Sequence, residues 1–418
     1  MERNVKLFPL YRLFSYDVLF YYAISTVYFI EVKHLSLSEI ALLSTAYSAA
    51  NVILQVPAAM IADKIGTKLG MIIGNILCVL WGINLITANS YQTLAIGEVL
   101  CALGFSIKSV CEAPFLLSSL KKLGRTNDYA KLESKGSALY FIVEAIACVV
   151  SGYLYNINVY LPIIFICLCS LIPTIIAINF QNINKSSESI STKKYFSDLT
   201  SGFKFIFKSK RLHAMLLFSC IFFGVISLSD VFRKAYFTEF NLSSTGFGYA
   251  YAIFAVFAAI GSKIQDKIEK KHKNRTLTFF SITYIGLLIF AGIIALFNLT
   301  DNILINIGIV LFSAQHILKG AYRVIIKEYI TRYTTSSIRS KLMSIFFLSE
   351  RIGATIFTAI SSLLLASYTI GISSTITGFV LIILMVLVLQ YMHPRMGLSP
   401  DTYTSRDRFD LIENKDSE

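Results

Sequence analysis

Apolar residues run through this chain in long, nearly unbroken stretches, unlike the alternating or one-in-three patterns of soluble strands and helices. The stretches 276–299 and 375–392 approach or exceed the roughly 20 residues that a helix needs to cross a hydrocarbon layer of about 30 Å. Short polar breaks separate such stretches, which predicts membrane-spanning helices. Twelve spans are predicted, at approximately 8–30, 39–62, 69–88, 92–119, 137–156, 159–180, 212–238, 245–265, 276–299, 302–328, 342–367 and 371–392.

Lysine and arginine residues determine the predicted orientation, because the cytoplasmic loops of membrane proteins are enriched in them. With a cytoplasmic N-terminus, 31 of the 38 basic residues fall in cytoplasmic segments, and Lys33 stands alone in the outer loops. The even number of spans then places both termini in the cytoplasm, with the chain in the cell membrane. The net charge of +13 follows from this topology. Its scatter over short loops argues against a nucleic-acid surface.

Reporter fusions test this topology. A reporter fused after Phe240 or after residue 299 should lie outside the cell, and one fused after residue 195 should lie in the cytoplasm. The measurement is the accessibility of each reporter on intact cells. A cytoplasmic reporter at either outer position would contradict the twelve-span arrangement.

The longest polar break lies at 181–211 and separates two sets of six spans. Four apolar residues recur there at helical spacing among Lys and Ser, namely Phe196, Leu199, Phe203 and Phe207. This spacing favours a helix in the membrane interface, with a flexible linker as the alternative. The sequence thus predicts an all-α membrane protein with twelve transmembrane helices. The two six-helix halves are expected at 1–180 and 212–392. A cytoplasmic linker is expected between them at 181–211, and a polar cytoplasmic tail at 393–418.

Several kinds of chemistry lack the residues they would need. The seven Cys residues lie inside apolar runs without a CxxC pair, which argues for packing and against a zinc site or a disulfide framework. The sequence shows no nucleophile–base constellation and no Walker A motif, so neither catalysis nor ATP drive is expected. We expect no cofactor. The first apolar run lacks a small-residue cleavage site and is expected to be retained as span one.

A short basic motif recurs at a distance of about half the chain. The sequence AMIADKIGTK at 59–68 ends the second span, and SKIQDKIEKK at 262–271 ends the eighth. Asp63 and Asp266 occupy equivalent positions in the two copies. A repeat that coincides with the span pattern indicates duplicated six-helix halves, an arrangement found in transporters.

The first copy resembles the loop between the second and third helices of the major facilitator superfamily, G-x-x-x-D-[RK]-x-G-[RK]-[RK]. The residues that match it are Asp63, Lys64, Gly66 and Lys68, and the departures are Ala59 and Thr67. The preceding QVPAA at 55–59 is similar to bacterial drug-efflux-like branches. The stretch GEVLCALGFS at 97–106 resembles the fourth-helix motif, with Glu98 in place of its usual Arg. The resemblance covers the whole chain in span count, central loop and duplicated motif.

This resemblance implies alternating access, in which two six-helix halves rock about a site near the middle of the membrane. A charge cluster at the loop motif that breaks in one state would bias the equilibrium between the two states. A plain turn with cytoplasmic charges is the alternative. The expected members of this conformational latch are Asp63, Lys64, Gly66, Lys68 and Asp266.

Ionisable residues inside spans indicate function or pairing, because each carries an insertion penalty of about 2.5 to 3.5 kcal/mol at a helix centre. Spans one, four, seven and ten, which line the central cavity in the resembled family, hold most of them. This distribution predicts a wet, charged pathway. The residues are Asp17, Glu98, Lys108, Glu112, Glu144, Asp230, Arg233, Lys234, His316, Lys319, Arg323, Glu350 and Arg351.

Glu144 and Asp17 are the predicted proton-coupling residues, because neither has an opposite charge within helical reach in its own span. Burial favours the protonated form of such a carboxyl, which suits a proton carrier. Glu112 is a third candidate, and Lys108 four residues before it is its expected partner. Hydrogen bonding to Tyr or Ser for packing is the alternative for Glu144 and Asp17, and structural neutralisation is the alternative for the Lys108–Glu112 pair.

Lys319 and Arg323 place two positive charges on one helical face, which predicts a clamp for an anionic group of a substrate. Pairing with Glu350 is the alternative. His316, one turn earlier, is expected to serve packing. The predicted substrate pathway comprises Glu98, Lys108, Asp230, Lys319 and Arg323.

These observations predict a monomeric secondary transporter that exports a small organic molecule in exchange for protons. The Gly-Pro motif of the antiporters' fifth helix is absent, since span five offers Gly152 without a proline. Proton-coupled uptake of a small anion or peptide is therefore an alternative, as is a non-transporting membrane sensor on the same scaffold. The expected partners are the substrate, protons and the lipid bilayer, without nucleic acid or ATP.

Overall fold

The computed structural model describes residues 1–182, 200–207, 209–272, 275–297, 299–333 and 336–396. This part of the chain is helical, with short connections and no strand. The predicted tail beyond residue 396 and most of the predicted linker lie outside the described residues. The helices are α1 (Glu2–Ser15), α2 (Ser25–Glu31), α3 (Leu37–Ile65), α4 (Thr67–Thr87), α5 (Tyr91–Lys122), α6 (Tyr129–Ile157), α7 (Leu161–Ile178), α8 (200–207), α9 (Lys210–Glu239), α10 (Ser244–His272), α11 (Thr276–Ala295), α12 (Asp301–Tyr333), α13 (Ser336–Ser367) and α14 (Ile370–Met396).

Among the described residues, eleven helices are long and apolar enough to cross a membrane, and they correspond to predicted spans two to twelve. The first predicted span is not one continuous helix, because residues 16–24 separate α1 from α2. Asp17 contributes to this break, since its Oδ1 accepts a hydrogen bond from the Val18 amide at 2.8 Å. A side chain that binds neighbouring backbone competes with the helix. Phe20 then adopts a φ of +66°. The twelve-helix prediction is confirmed, with its first member in two parts.

The chain divides into two compact units. The first comprises Met1–Tyr195 with Leu242–Ile253, and the second comprises Phe196–Asn241 with Phe254–Glu418. In the first unit α4 packs on α5 and α7, α3 packs on α5, and α1 packs on α6. In the second unit α9 packs on α13 and α14, and α11 packs on α14. Each unit is thus built mainly from consecutive spans.

Glycine residues allow close helix approach in both units. A Cβ atom at Gly74 of α4 would lie 2.8 Å from the carbonyl oxygen of Gly104 in α5, and one at Gly104 would lie 2.7 Å from that of Gly74. In the second unit, a Cβ atom at Gly353 of α13 would clash with the carbonyl oxygen of Cys220 in α9. Helices in lipid associate through close packing of small residues. These glycines therefore set the distances within each bundle.

Large apolar side chains cover the exposed faces of the spans. Five that are more than half exposed are Ile142, Ile146, Val310, Leu363 and Ile383. In water, contiguous apolar surface of this kind marks an interaction site. On helices of spanning length, hydrocarbon chains of a bilayer are the matching surroundings.

The predicted interfacial helix is described only in part. Phe196 and Leu199 lie outside the described residues, and the described part of the helix covers 200–207. Ile206 is fully buried, whereas Phe207 is 65% exposed. The protein therefore packs on Ile206, and Phe207, which was expected on the apolar face, remains exposed. Insertion of that ring into a membrane interface stays a prediction.

Candidate functional site

Asp17 and Glu144, the two predicted coupling carboxyls, share the same two tyrosine side chains. Asp17 lies in the break between α1 and α2, and Glu144 lies in the middle of α6. The Tyr22 hydroxyl donates to Asp17 Oδ2 at 2.8 Å. Tyr22 and Tyr140 each interact electrostatically with both carboxyls. We refer to Asp17, Tyr22, Tyr140 and Glu144 as the carboxyl–tyrosine cluster.

Glu112 is the centre of a second group of contacts in the first unit. Its carboxylate forms an ion pair with Arg12 of α1, and it accepts hydrogen bonds from Tyr11 at 3.0 Å and Ser15 at 2.9 Å. Arg12 also pairs with Glu133 of α6 at 2.8 Å. The expected pairing with Lys108 is therefore replaced by pairing with Arg12. Arg12 is one of the 31 basic residues that were predicted in cytoplasmic segments, although it lies within the first apolar run at 8–30.

Lys108 instead binds the end of α1. Its Nζ donates to the carbonyl oxygen of Ser15 at 3.1 Å and lies 3.9 Å from the centre of the Phe105 ring. A cation suits this position, because the carbonyl end of a helix carries partial negative charge. Lys108 and Arg12 thus face a common cavity of about 210 Å³ together with Glu112. The predicted pathway residue Lys108 therefore lines open space, although its main contact is structural.

Glu98 lies in a buried aromatic setting. The Trp81 indole donates to Glu98 Oε1 at 3.1 Å, and Trp81 packs edge-on against Tyr21 with ring centres 4.9 Å apart. The residue is 6% exposed. The hydrogen bond from Trp81 fits a packing role for Glu98 at least as well as the predicted pathway role.

In the second unit, Asp230 of α9 is held between two cations. Arg233 Nη1 lies 2.8 Å from Asp230 Oδ1, and Lys319 Nζ of α12 lies 2.7 Å from Asp230 Oδ2. The Arg233 side chain is 5% exposed, whereas that of Asp230 is 31% exposed. The alternative of pairing Lys319 with Glu350 is thus replaced by pairing with Asp230.

His316 supports the guanidinium group of Arg233. Its Nδ1 lies 2.7 Å from the carbonyl oxygen of Phe312 and can only donate there, which leaves Nε2 to accept from Arg233 Nη1 at 3.2 Å. The imidazole also stacks on Phe254, with ring centres 4.6 Å apart. Both nitrogens of a neutral ring are used in this arrangement. The contacts agree with the expected packing role.

Glu350 of α13 is a buried carboxyl of the second unit. It accepts a hydrogen bond from Ser219 at 3.2 Å, and the Ser219 and Tyr322 hydroxyls lie 2.9 Å apart. Arg323 is exposed. The cations that interact electrostatically with Glu350 are Arg323, Lys327 and Arg351.

The loop motif forms a one-residue connection in its first copy. Helix α3 ends at Ile65, α4 begins at Thr67, and Gly66 between them has a φ of +85°, which glycine adopts at little cost. Lys68 donates to the carbonyl oxygen of Phe180 at 2.6 Å.

The second copy differs from the first. Asp266 lies within the last two turns of α10, which continues to His272. Glu269 occupies the position of Gly66 in the first copy, so no glycine is present to allow a tight reversal of the chain there. The repeat suggested that the two aspartates occupy identical helix ends. In the structure they lie at different distances from the ends of their helices.

Asp63→Asn tests the latch. The variant should insert and fold normally, because no charge within the membrane core is lost, but it should transport more slowly. Initial transport rates at equal protein level are the measurement. Asp266→Asn is the matched control and should have the smaller effect, because α10 continues past it. A normal rate for Asp63→Asn would reduce the motif to an ordinary turn.

Metal ligands are not clustered in the described residues, where no group of three or more His, Cys, Asp or Glu side chains could hold an ion. The seven cysteines are free thiols. The chemistry that the described part of the chain offers is thus that of charged and hydrogen-bonding groups.

Spanning helices in two compact units, with ionisable groups held inside the spans, define a multi-pass membrane transporter. Residues 11–314 match the Major Facilitator Superfamily, and the chain belongs to that family. It is accordingly a transporter and not an enzyme. The Bacillus subtilis (strain 168) protein named uncharacterized MFS-type transporter YxaM is 20% identical over 365 residues, which cover 86% of this chain and 88% of that protein.

Solved transporters share the fold. The nucleoside transporter NupG superposes with a TM-score of 0.69 at 11% identity, over 96% of this chain and 99% of that one. A D-xylose-proton symporter superposes with a TM-score of 0.66 at 12% identity, over 91% of this chain and 96% of that one. At such identities the likeness concerns the fold alone.

Proposed function

We propose that this protein is a proton-coupled secondary transporter that moves a small organic molecule by alternating access. The observation that supports this most is the carboxyl–tyrosine cluster, in which Asp17 and Glu144 meet the same two tyrosines. From the sequence, these carboxyls were predicted as two separate candidates. Because they share these surroundings, we treat them as one proposed site.

Burial favours the protonated form of a carboxyl in general, so a conformation that excludes water favours proton binding by such a group. Admission of water favours release of that proton. If alternating access exposes the cluster to one side of the membrane at a time, proton occupancy follows the conformation. Glu112 is the weaker candidate, because its carboxylate is already paired with Arg12.

The proposed direction is export. Its support is the similarity of QVPAA at 55–59 to efflux-like branches. Proton-coupled uptake is the second candidate, because span five contains Gly152 without the proline of antiporters. We also propose that both termini are cytoplasmic and that the monomer is the functional unit.

Proteoliposomes made with the purified full-length protein test the proposal. A panel of small organic solutes is added with a pH gradient imposed in either direction, and solute accumulation is measured. We expect accumulation against a solute gradient that a protonophore abolishes. Movement opposite to protons supports export, and movement with protons supports uptake. Equilibration that ignores the pH gradient would contradict proton coupling.

A further inference from the structure

Several cations of the second unit surround two carboxylates of its spanning helices. Asp230 interacts with Arg233 and Lys319, and Glu350 interacts with Arg323, Lys327 and Arg351. Ionisable side chains inside membrane spans mark substrate and ion pathways. Two of these cations, Lys319 and Arg323, lie on the same helix, α12.

Lys319 and Arg323 are the members of this group best placed to meet a ligand. They lie one turn apart on the same face of α12 and act on each other electrostatically. The Lys319 side chain is 18% exposed, and Arg323 is exposed. Arg323 forms no hydrogen bond or ion pair within 4.0 Å with any residue that the structure describes. No residue that the structure describes therefore occupies its guanidinium donors.

We propose that Lys319 and Arg323 bind the anionic group of the transported molecule, a carboxylate or a phosphate monoester. The inference rests on the transport function proposed above and names its substrate class. Guanidinium presents paired donors that match the two oxygens of either group, and the ammonium group adds a movable charge. Lys319 of the sequence-based clamp is already paired with Asp230, whereas Arg323 forms no ion pair with a residue that the structure describes.

Asp230 pairs with Lys319 in the structure. It lies 2.7 Å from Lys319 Nζ and is also anchored by Arg233 at 2.8 Å. His316 and Phe254 fix that arginine from the other side. Lys319 can therefore turn to a substrate anion without leaving Asp230 unpaired, because Arg233 stays in place. This arrangement avoids the penalty of an uncompensated buried charge.

Matched pairs of probes test the charge requirement at one fixed pH and without a gradient. The anions are benzoate, nicotinate, glucose 6-phosphate and ribose 5-phosphate, and their neutral partners are benzamide, nicotinamide, glucose and ribose. Binding to the purified full-length protein is measured as the shift in its melting temperature. We expect at least one anion to raise the melting temperature while its neutral partner does not.

Substitution of the open arginine locates the site. Arg323→Gln should raise the apparent Kd of that anion about tenfold or more, because it removes charge-assisted hydrogen bonds. Arg323→Lys should show a smaller loss, since it keeps the charge without the paired donors. Arg275→Gln is the matched control, because Arg275 is an exposed arginine of the same unit that lies at the start of a different helix, α11. It should bind the anion as the wild type does.

Three results would overturn the proposal. They are equal stabilisation by an anion and its neutral partner, no stabilisation by any of the four anions, and unchanged anion binding by a folded Arg323→Gln protein. Folding is checked by the melting temperature without ligand, and Arg323→Lys provides a second variant. Because no proton gradient is present, these results are independent of proton coupling. The anion site can therefore fail while proton-coupled transport stands, and the reverse also holds.

Discussion

Glu144→Gln should abolish transport driven by a proton gradient and leave substrate exchange across the membrane intact. Glutamine keeps the shape of the side chain and its ability to hydrogen-bond beside Tyr140, but it cannot release a proton. Exchange of labelled for unlabelled substrate requires only substrate binding and the conformational change. Accumulation and exchange measured on the same proteoliposomes therefore separate loss of coupling from loss of folding.

Asp17→Asn is the companion variant, because Asp17 meets the same tyrosines. We expect it to impair accumulation and to shift its pH dependence. Tyr22→Phe, which removes the hydrogen bond at 2.8 Å to Asp17, should shift the pH dependence while allowing some accumulation. If Glu144→Gln and Asp17→Asn both accumulate substrate like the wild type, with an unchanged pH dependence, both carboxyls serve packing only.

Arg12→Gln should produce the largest loss of stability among the charged-residue variants. Arg12 pairs with Glu112 and Glu133, and the Glu112 side chain is only 7% exposed. Removal of the cation leaves two like charges near each other, one of them buried, and loss of one partner from a buried ion pair costs about 3–5 kcal/mol. Thermal unfolding of the purified protein in one detergent is the measurement.

The double variant Arg12→Gln with Glu112→Gln checks the cause. It should be more stable than Arg12→Gln alone, because the buried carboxylate is gone as well. Arg125→Gln is the surface control, since its ion pairs with Asp128 and Glu2 are exposed, and its melting temperature should barely change. Equal melting temperatures for Arg12→Gln and the wild type would contradict a stabilising role of this ion pair.

The spans were predictable because the length of an apolar run limits the structures that it can form in lipid. Eleven of the predicted spans appear as helices of spanning length in the described part of the chain. The break near Asp17 was not predicted, because it depends on a side chain binding the next amide and on the left-handed conformation of Phe20. Neither feature alters hydrophobicity. The same limit applies to α10, which continues through Asp266 because its copy of the motif lacks a glycine.

The candidate site was predictable as a set of residues but not as a set of partners. Spacing along one helix suggested that Lys108 neutralises Glu112, yet Arg12 reaches Glu112 from α1. Similarly, Lys319 pairs with Asp230 of α9. Spacing describes only one helix, whereas these pairs depend on how helices pack. The position of Arg12 inside the first apolar run was the available signal, since a cation there requires a partner.

Substrate-driven proton movement tests the central claim most directly. Proteoliposomes are loaded with a pH-sensitive dye, no pH gradient is imposed, and a gradient of the solute identified by the panel experiment is added. We predict that the wild-type protein moves protons as the solute moves, and that Glu144→Gln shows no proton movement. Solute flux through the wild-type protein with no change in internal pH would contradict proton coupling.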